Sequence, residues 1–233
     1  MRALFATSPA RIERLFFLPS MRGEIDDICR LMAESRRPYR EVEAEELAKV
    51  AGSVLHGGIV AIATPRATPD FDAAAARAAV NDVPLLLCLD GVANPHNLGA
   101  IVRTAAFFGL DRIVLSDHPA QAGPSDAAHR VAEGGLEHVT LYRARHFPQA
   151  LKQLKPAYRT VGTALDRGRP LAEVGRDKSI ALVLGNEEFG MNPQALGICD
   201  DVVRIEGYGR IQSLNVAATA AILVHALAGK TRR

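Results

Sequence analysis

Three segments in the C-terminal half of the chain carry the residue types best suited to chemistry. They are rich in Gly and Asn: Asn94-Pro95-His96-Asn97-Leu98-Gly99, which leads into Arg103; Gly185-Asn186-Glu187-Glu188-Phe189-Gly190; and Ser213-Leu214-Asn215. Each lies where a predicted strand ends. Because α/β proteins assemble a ligand site from loops at the carboxyl ends of strands, the three segments predict one site.

The side chains of these segments are amides, hydroxyls, one guanidinium and one candidate carboxylate, Glu187. This set suits a site that holds a reactive ligand and orients an acceptor, where positioning lowers the barrier more than strong acid or base chemistry. Asn97 and Arg103 do not share a face of a regular helix, given their spacing along the chain. We expect Asn97 at the helix start, as an N-cap or loop anchor, with Arg103 projecting separately.

Two familiar sites are excluded. The apolar strand Leu85–Leu89 is followed by Asp90 and Gly91 without the G-x-G-x-x-G pattern of a dinucleotide fold, so no NAD site is predicted. Ser213 has no nucleophile elbow around it, which argues against a Ser/His/Asp hydrolase.

Composition places the chain among globular proteins. Of its 233 residues, 48% are hydrophobic and 23% are charged, a balance typical of a folded chain rather than a disordered one. The net charge of +2 is too small to indicate a nucleic-acid binder by itself, because such binding depends on clustered basic residues. Basic clusters occur at 36–40 and 143–159, although solvated helix faces produce the same pattern.

The three cysteines, Cys29, Cys88 and Cys199, are far apart and set among apolar residues. We therefore expect buried thiols in a reducing compartment, with neither a disulfide framework nor a metal site. The N-terminus does not resemble a signal peptide, and the apolar stretch at 216–228 is shorter than the ~20 residues that cross a bilayer. A cytoplasmic protein with no membrane partner is expected.

A Pro- and Thr-rich breaker divides the chain into two α/β parts. Residues 1–63 form a small module, residues 64–82 are predicted as a linker with a short Ala-rich helix, and residues 83–233 form the larger domain. The continuous apolar run at 85–89 is typical of a parallel strand covered on both faces. Further strands are predicted at 112–115, 139–142, 159–162, 180–184 and 202–205, with helices at 97–108 and 214–227. This alternation predicts a parallel sheet.

The three segments, taken together, resemble the motifs of the SpoU/TrmH family of RNA 2′-O-ribose methyltransferases in order and spacing. The matching stretches are Asn94-Pro95-His96-Asn97-Leu98-Gly99-Ala100-Ile101-Val102-Arg103-Thr104-Ala105, Leu184-Gly185-Asn186-Glu187-x-x-Gly190 and Ser213-Leu214-Asn215-Val216-Ala217. The likeness covers roughly residues 84–228. Residues 1–63 are similar to the substrate-binding domain, of the ribosomal L30e/L7Ae kind, that precedes the catalytic domain in many members.

The resemblance implies S-adenosylmethionine as methyl donor, held in a deep C-terminal trefoil knot of the parallel sheet. Carried over by position, the donor would be bound by backbone around Leu184, Gly185, Ile205 and Leu214. The catalytic and acceptor-binding set would be Arg103, Asn97, Glu187, Ser213 and Asn215. The acceptor would be a ribose 2′-hydroxyl in structured RNA, and the knotted domain would pack against a second copy to give a homodimer with shared sites.

The resemblance assigns Arg103 as the base that takes the 2′-hydroxyl proton, but a guanidinium with a pKa above ~12 is a poor base at neutral pH. A second hypothesis is that Arg103 binds the adjacent phosphate and orients the hydroxyl, while the proton leaves late. Both hypotheses predict loss of activity in Arg103→Lys. Only the second predicts that RNA affinity falls with turnover.

One stretch departs from the family pattern, which has a Pro and a bulky residue after the Ile that precedes the third motif. This chain has Ile205-Glu206-Gly207, and Glu206 adds a negative charge near a cationic sulfonium and an anionic polymer. The leading hypothesis is an RNA methyltransferase, with ribosomal RNA favoured over transfer RNA because of the separate N-terminal module. The alternative is an RNA-binding protein on the same scaffold whose methyl transfer is weak or lost.

Overall fold

The computed structural model describes residues 2–165, 167–175 and 177–228, and the chain divides into two compact units between Ala67 and Thr68. In the described part of the first unit, a three-stranded sheet has the order β2-β1-β3, with β1 parallel to β2 and antiparallel to β3. Its elements are α1 (Arg2–Thr7), β1 (Ile12–Phe17), α2 (Asp26–Glu34), β2 (Tyr39–Glu41), α3 (Ala44–Ala51) and β3 (Ile59–Ala63), with 3₁₀ turns at Pro9–Arg11 and Pro19–Glu24.

The core of the first unit forms between β1 and α2. Leu15 and Phe17 of β1 are two residues apart and point to the same face of the strand, where both are fully buried. Ile28 and Met32 of α2 are one helical turn apart and cover that face. The unit is therefore a small mixed α/β module, as the sequence predicts.

The second unit contains, within the described residues, a seven-stranded parallel sheet of order β6-β5-β4-β9-β7-β10-β8. Its strands are β4 (Leu85–Asp90), β5 (Arg112–Leu115), β6 (Thr140–Arg143), β7 (Tyr158–Thr163), β8 (Arg169–Pro170), β9 (Ser179–Gly185) and β10 (Asp201–Arg204). Its helices are α4 (Ala73–Ala78), α5 (Pro95–Phe107), α6 (Asp126–Ala132), α7 (Gly135–His138), α8 (Phe147–Leu154), α9 (Pro193–Ile198) and α10 (Val216–Ala228), with a 3₁₀ turn at Leu171–Glu173.

Helices cover both faces of this sheet, which explains the continuous apolar run of its central strand. Every residue of β4 is buried. Leu87 and Leu89 pack in the same cluster as Leu98 of α5 and Leu223 of α10. Leu86 and Cys88, on the other face, pack in the cluster of Phe147 and Leu151 of α8. The predicted parallel α/β class is confirmed.

The strand order reverses between β4 and β9, the two neighbouring strands at the centre of the sheet. After β4 the chain moves outward through β5 to β6, whereas β7 and β10 lie on the other side, beyond β9. In parallel sheets such a switch point opens a crevice at the carboxyl ends of the strands. The three chemistry-bearing segments follow β4, β9 and β10, so they all lie at this edge.

Helix α5 begins two residues earlier than predicted, at Pro95, and its N-cap is Asn94 rather than Asn97. Asn94 Oδ1 accepts a hydrogen bond from His96 N at 2.8 Å. Proline suits the first helical position because its missing N–H has no intrahelical partner there, and asparagine is a preferred N-cap. Asn97 is therefore inside the first turn, where its side chain is available to anchor a neighbouring loop.

Part of the predicted linker packs on the second unit. Phe71 N donates to Arg143 O at 2.8 Å, and Ala73 is buried in the same cluster as Leu151. The predicted Ala-rich helix is α4, and its N-cap Asp72 accepts from backbone N–H groups of the first turn. The functional domain bounds 1–63 and 83–233 stay a prediction, and residues 229–233 lie outside the described residues.

Across residues 2–165, 167–175 and 177–228, no helix is both long enough and apolar enough to span a membrane.

Gly99 allows α5 to cross α6 closely, because a Cβ there would lie 2.5 Å from Ala128 O and 2.9 Å from Val131 Cβ. We expect Gly99→Ala to lower the free energy of unfolding by about 1–3 kcal/mol, since the added methyl group overpacks the crossing. In the control Gly197→Ala nothing lies within 4 Å of the new Cβ, so stability should hold or rise. Urea unfolding measures both, and equal stabilities would contradict the packing argument.

Candidate active site

The carboxyl ends of β7, β9 and β10 surround a cavity of about 690 Å³. The start of α10 closes one side of it with Val216 and Thr219. The cavity is lined by the four residues predicted to bind the donor: Leu184, Gly185, Ile205 and Leu214. Three residues of the predicted catalytic set also line it: Glu187, Ser213 and Asn215. The volume is within the range of small-molecule and cofactor pockets. The individual roles of these residues stay predictions.

A chain of hydrogen bonds joins the three predicted segments beside this cavity. Asn97 Nδ2 donates to Glu187 Oε1 at 2.8 Å, and Asn215 Nδ2 donates to Asn97 Oδ1 at 3.0 Å. Asn215 Oδ1 in turn accepts from Ala217 N at 2.8 Å, which fixes the Asn215 amide at the start of α10. Carboxylate and amides from three separate strand ends therefore meet in one oriented set.

The start of α5 holds Glu187 as an anion. Its carboxylate accepts from Ala93 N at 3.0 Å and from Asn94 N at 3.2 Å. Burial acts to raise the pKa of Glu187, but the hydrogen bonds from Asn97, Ala93 and Asn94 outweigh it, and the pKa lies below its ordinary value. Glu187 is thus ionised at neutral pH and acts as a hydrogen-bond acceptor rather than a proton donor.

The turn that follows β9 requires glycine at position 185. A Cβ on Gly185 would lie 2.3 Å from Met191 N and 2.4 Å from the carbonyl carbon of Gly190. Asn186 and Gly190 close the turn by exchanging backbone hydrogen bonds of 2.9 and 3.0 Å. Any side chain at 185 would force this turn apart, so this part of the cavity wall is backbone.

A set of hydrogen bonds made by the polar side chains of Gln121, Asn186 and Asp90, here called the polar bracket, supports the site. The sequence did not predict it. Gln121 Oε1 accepts from Gly91 N at 2.9 Å, and Asn186 Nδ2 donates to Gly91 O at 2.8 Å. Asp90 Oδ2 accepts from Asn192 N at 2.8 Å, and burial raises the pKa of Asp90. The bracket ties the loop after β4 to the loop after β9. Gln121 belongs to the loop after β5, where no motif draws attention to it.

Arg103 is placed apart from the other predicted site residues. It is not among the described residues that line the cavity, and its Nη1 donates to Glu133 Oε1 at 2.7 Å. Both side chains are more than half exposed. The structure of the single chain therefore brings together Asn97, Glu187 and Asn215, but not Arg103.

Glu206 does line the cavity, beside Arg204. Arg204 Nη2 lies 3.6 Å from Glu206 Oε1, and the two side chains are about half exposed. The negative charge that departs from the family pattern thus has a cationic neighbour two residues before it.

A further part of the wall was not predicted: Thr163, the last residue of β7, and Ala164 and Leu165, which follow it. The same rule that located the other loops would have found them, because β7 lies between β9 and β10 in the sheet and its carboxyl end reaches the same edge. The missing signal is the sheet order, which a single sequence does not give.

A small-molecule cavity at the carboxyl ends of strands in a parallel α/β sheet, beside the switch point and flanked by oriented amides, is typical of an enzyme that binds a cofactor and positions its reactants. Comparison with known families makes this specific. Residues 84–225 match the SpoU rRNA Methylase family, and residues 1–69 match the family described as RNA 2′-O ribose methyltransferase substrate binding. The chain belongs to the SpoU rRNA methylase family, and the predicted class of RNA ribose 2′-O-methyltransferase is confirmed.

Similar proteins carry related names. An uncharacterized tRNA/rRNA methyltransferase, YfiF, from Escherichia coli O157:H7 is 33% identical over 96% of this chain, which spans 64% of that relative's length. The 23S rRNA (guanosine-2′-O-)-methyltransferase RlmB from Acinetobacter baylyi is 31% identical over 97% of this chain and 92% of its own length. The crystal structure of an AdoMet-bound rRNA methyltransferase from Sinorhizobium meliloti has the same fold, with a TM-score of 0.79 at 20% identity over 100% of this chain and 86% of that one.

We expect Glu187→Gln to remove a pH-dependent part of the stability. The pKa of Glu187 is lowered in the folded chain, so its contribution is complete above the unfolded value of ~4.3 and is lost as the pH falls through the folded value. The wild type should therefore exceed the variant in free energy of unfolding at neutral pH, by a margin that shrinks below about pH 4.

Denaturant unfolding between pH 7 and 3 measures this margin. Glu173→Gln, at an exposed glutamate that does not line the cavity, is the control and should leave the pH dependence unchanged. A margin for Glu187→Gln that stays constant with pH would contradict the role of its charge.

Proposed function

We propose that this chain transfers a methyl group from S-adenosylmethionine, bound in the 690 Å³ cavity, to a ribose 2′-hydroxyl of ribosomal RNA. The observation that carries the proposal is the hydrogen-bonded set of Glu187, Asn97 and Asn215 at the edge of that cavity. It offers fixed amide groups beside a cofactor-sized space, in a chain of the SpoU family.

The lining fits the proposed donor. Leu184, Ile205 and Leu214 offer apolar surface for the adenine, while the backbone around Gly185, which lines the cavity without a side chain, would offer hydrogen bonds to its edge. When bound, the donor supplies a methyl group on a sulfonium, a good leaving group. Transfer would replace the methyl–sulfur bond by a bond to the ribose oxygen and leave the donor as a neutral thioether. The hydroxyl proton would pass to Arg103 under the first hypothesis or leave late to solvent under the second. The work of the protein is to hold the two reactants in line.

We assign the acceptor side to Asn97, Asn215 and Ser213. Glu187 fixes the Asn97 amide, and Asn97 fixes that of Asn215, so the set is ordered before RNA arrives. Because the pKa of Glu187 is lowered, the carboxylate orients the amides and does not remove the proton. Arg103 has the two roles weighed above: base, or phosphate ligand that orients the hydroxyl.

We propose that a second copy of the chain completes the site. Arg103 does not line its own cavity, and it projects from α5, which also exposes 82% of Phe107. Phe107 lies one helical turn after Arg103 and so on the same side of α5. An exposed aromatic side chain beside a cationic group that does not line the cavity of its own chain favours a homodimer in which each Arg103 serves the partner's cavity.

The trefoil knot belongs to the same proposal. It is supported by the position of β9 between β4 and β7 and by the hydrogen bond from Asn215, just after the 205–214 stretch, back to Asn97.

The first unit is proposed to bind the RNA, in line with its family match, and the ribosomal substrate is favoured by the RlmB relative. A cytoplasmic location follows from such a substrate.

Calorimetric titration with S-adenosylmethionine tests the donor site. Gly185→Trp is unsuitable as a blocking variant, because any side chain there breaks the turn after β9. Gly207 lines the cavity and has nothing within 4 Å of its Cβ position, so we expect Gly207→Trp to fill the space and abolish binding. Gly197→Trp, equally unhindered but outside the cavity, should bind normally.

Binding by the wild type and by both variants would show that the donor does not occupy this cavity. No binding by the wild type would contradict the proposed enzyme. In the second case, RNA binding without methyl-label transfer would favour the alternative of a binding protein on the same scaffold.

Mixing two inactive variants tests the shared site. Arg103→Ala and Gly207→Trp chains should each fail to methylate RNA as homodimers. A mixed dimer pairs the intact cavity of one chain with the intact Arg103 of the other, so re-association of equal amounts should restore roughly a quarter of the wild-type activity. No recovery, with mixed dimers shown by mass spectrometry, would place Arg103 in the cavity of its own chain.

A further inference from the structure

Arg204 and Glu206 form an oppositely charged pair at the end of β10. Both residues line the cavity, and Arg204 Nη2 lies 3.6 Å from Glu206 Oε1. The pair therefore presents a positive and a negative group next to each other on the cavity wall.

The pair contributes little to holding the fold together. The side chains of Arg204 and Glu206 are 44% and 50% exposed, and ion pairs of such exposure stabilise proteins only weakly. The loop that follows them is open, since Gly207 and Gly209 have nothing within 4 Å of their Cβ positions. Both charges thus remain accessible to a ligand in the cavity.

The other charges of the cavity wall are arranged differently. Glu187 is engaged by Asn97 and by the backbone of Ala93 and Asn94. Glu188 is the remaining carboxylate of the wall, and Arg204 is the only basic residue among the described residues that line it. A ligand carboxylate in this cavity therefore has one cationic partner, and Glu206 lies directly beside it.

We propose that Arg204 and Glu206 are the subsite for the α-amino-acid end of the methyl donor; this rests on the function proposed above. The α-carboxylate of the donor pairs with Arg204, and its α-ammonium pairs with Glu206. Those two donor groups are carried by one carbon atom, so their separation matches that of the adjacent guanidinium and carboxylate. The four charges alternate in sign, and the Arg204–Glu206 contact is kept when the ligand binds.

This arrangement gives a function to the residue that departs from the family pattern. The negative charge of Glu206 would repel an RNA phosphate if it stood alone. In the proposed subsite, the Glu206 carboxylate pairs with Arg204 and with the α-ammonium group of the bound donor instead. Glu206 therefore supports donor binding, and the departure is part of a cofactor subsite.

Truncated ligands combined with single variants test the subsite. S-adenosylmethionine, decarboxylated S-adenosylmethionine and 5′-methylthioadenosine are titrated by calorimetry into the wild type, Arg204→Gln and Glu206→Gln. Arg204→Gln should weaken S-adenosylmethionine about tenfold and leave the decarboxylated form no weaker. Glu206→Gln should weaken both by about tenfold, because both keep the amino group. Neither change should affect 5′-methylthioadenosine, which lacks the amino-acid chain.

The control is Arg210→Gln, a charge removed from the same loop at a residue that does not line the cavity, and it should leave all three affinities unchanged. Equal weakening of all three ligands by Arg204→Gln and Glu206→Gln would show that the pair shapes the loop and would overturn the subsite. Unchanged affinities would overturn it as well. A wild type that binds none of the ligands would instead contradict the proposed donor itself, a result distinct from the other two.

Discussion

The site depends on one interaction, the clasp that Glu187 makes on the start of α5. A carboxylate from the loop after β9 accepts hydrogen bonds from Ala93 N, Asn94 N and the Asn97 side chain, at the end of the helix where unpaired N–H groups and the helix dipole favour an anion. The clasp joins the two central strands at the point where their order reverses. Without it, the amide of Asn97 would lose its fixed orientation, and Asn215 would keep only the bond from Ala217 N.

Much of the fold could be predicted because the sequence pattern and the burial agree. The run at 112–115 is a strand with the predicted bounds, and the apolar run at 85–89 is a central strand because helices cover both its faces. The residue that caps the start of α5 was harder to predict. Asn94 and Asn97 are both plausible caps, and only the proline between them at position 95, in the first helical position, decides for Asn94.

The residues of the candidate site also divide into those that the sequence predicts and those that it does not. Leu184, Ile205 and Leu214 were expected around the donor and do line the cavity, because their motifs lie at strand ends. Gln121 and Thr163 could not be predicted, since their contributions depend on which strands are neighbours in the sheet. Arg103 illustrates a third limit. A single chain shows it paired with Glu133, and a site built from two chains is not visible in the geometry of one.

The two sides of the cavity differ in how firmly they are held, and this difference suits the proposed reaction. The side formed by the loops after β4 and β9 is braced by the buried bond of Gln121 and the part-buried bond of Asn186 to Gly91. The side formed by residues 206–215 is exposed throughout. Catalysis by positioning requires that acceptor groups be ordered in advance, whereas a donor that enters and leaves at every turnover needs an accessible wall. Glu187 and Asn97 lie on the side held by the loops after β4 and β9, whereas Glu206 and Asn215 lie on the accessible side, and the bond from Asn215 to Asn97 connects the two.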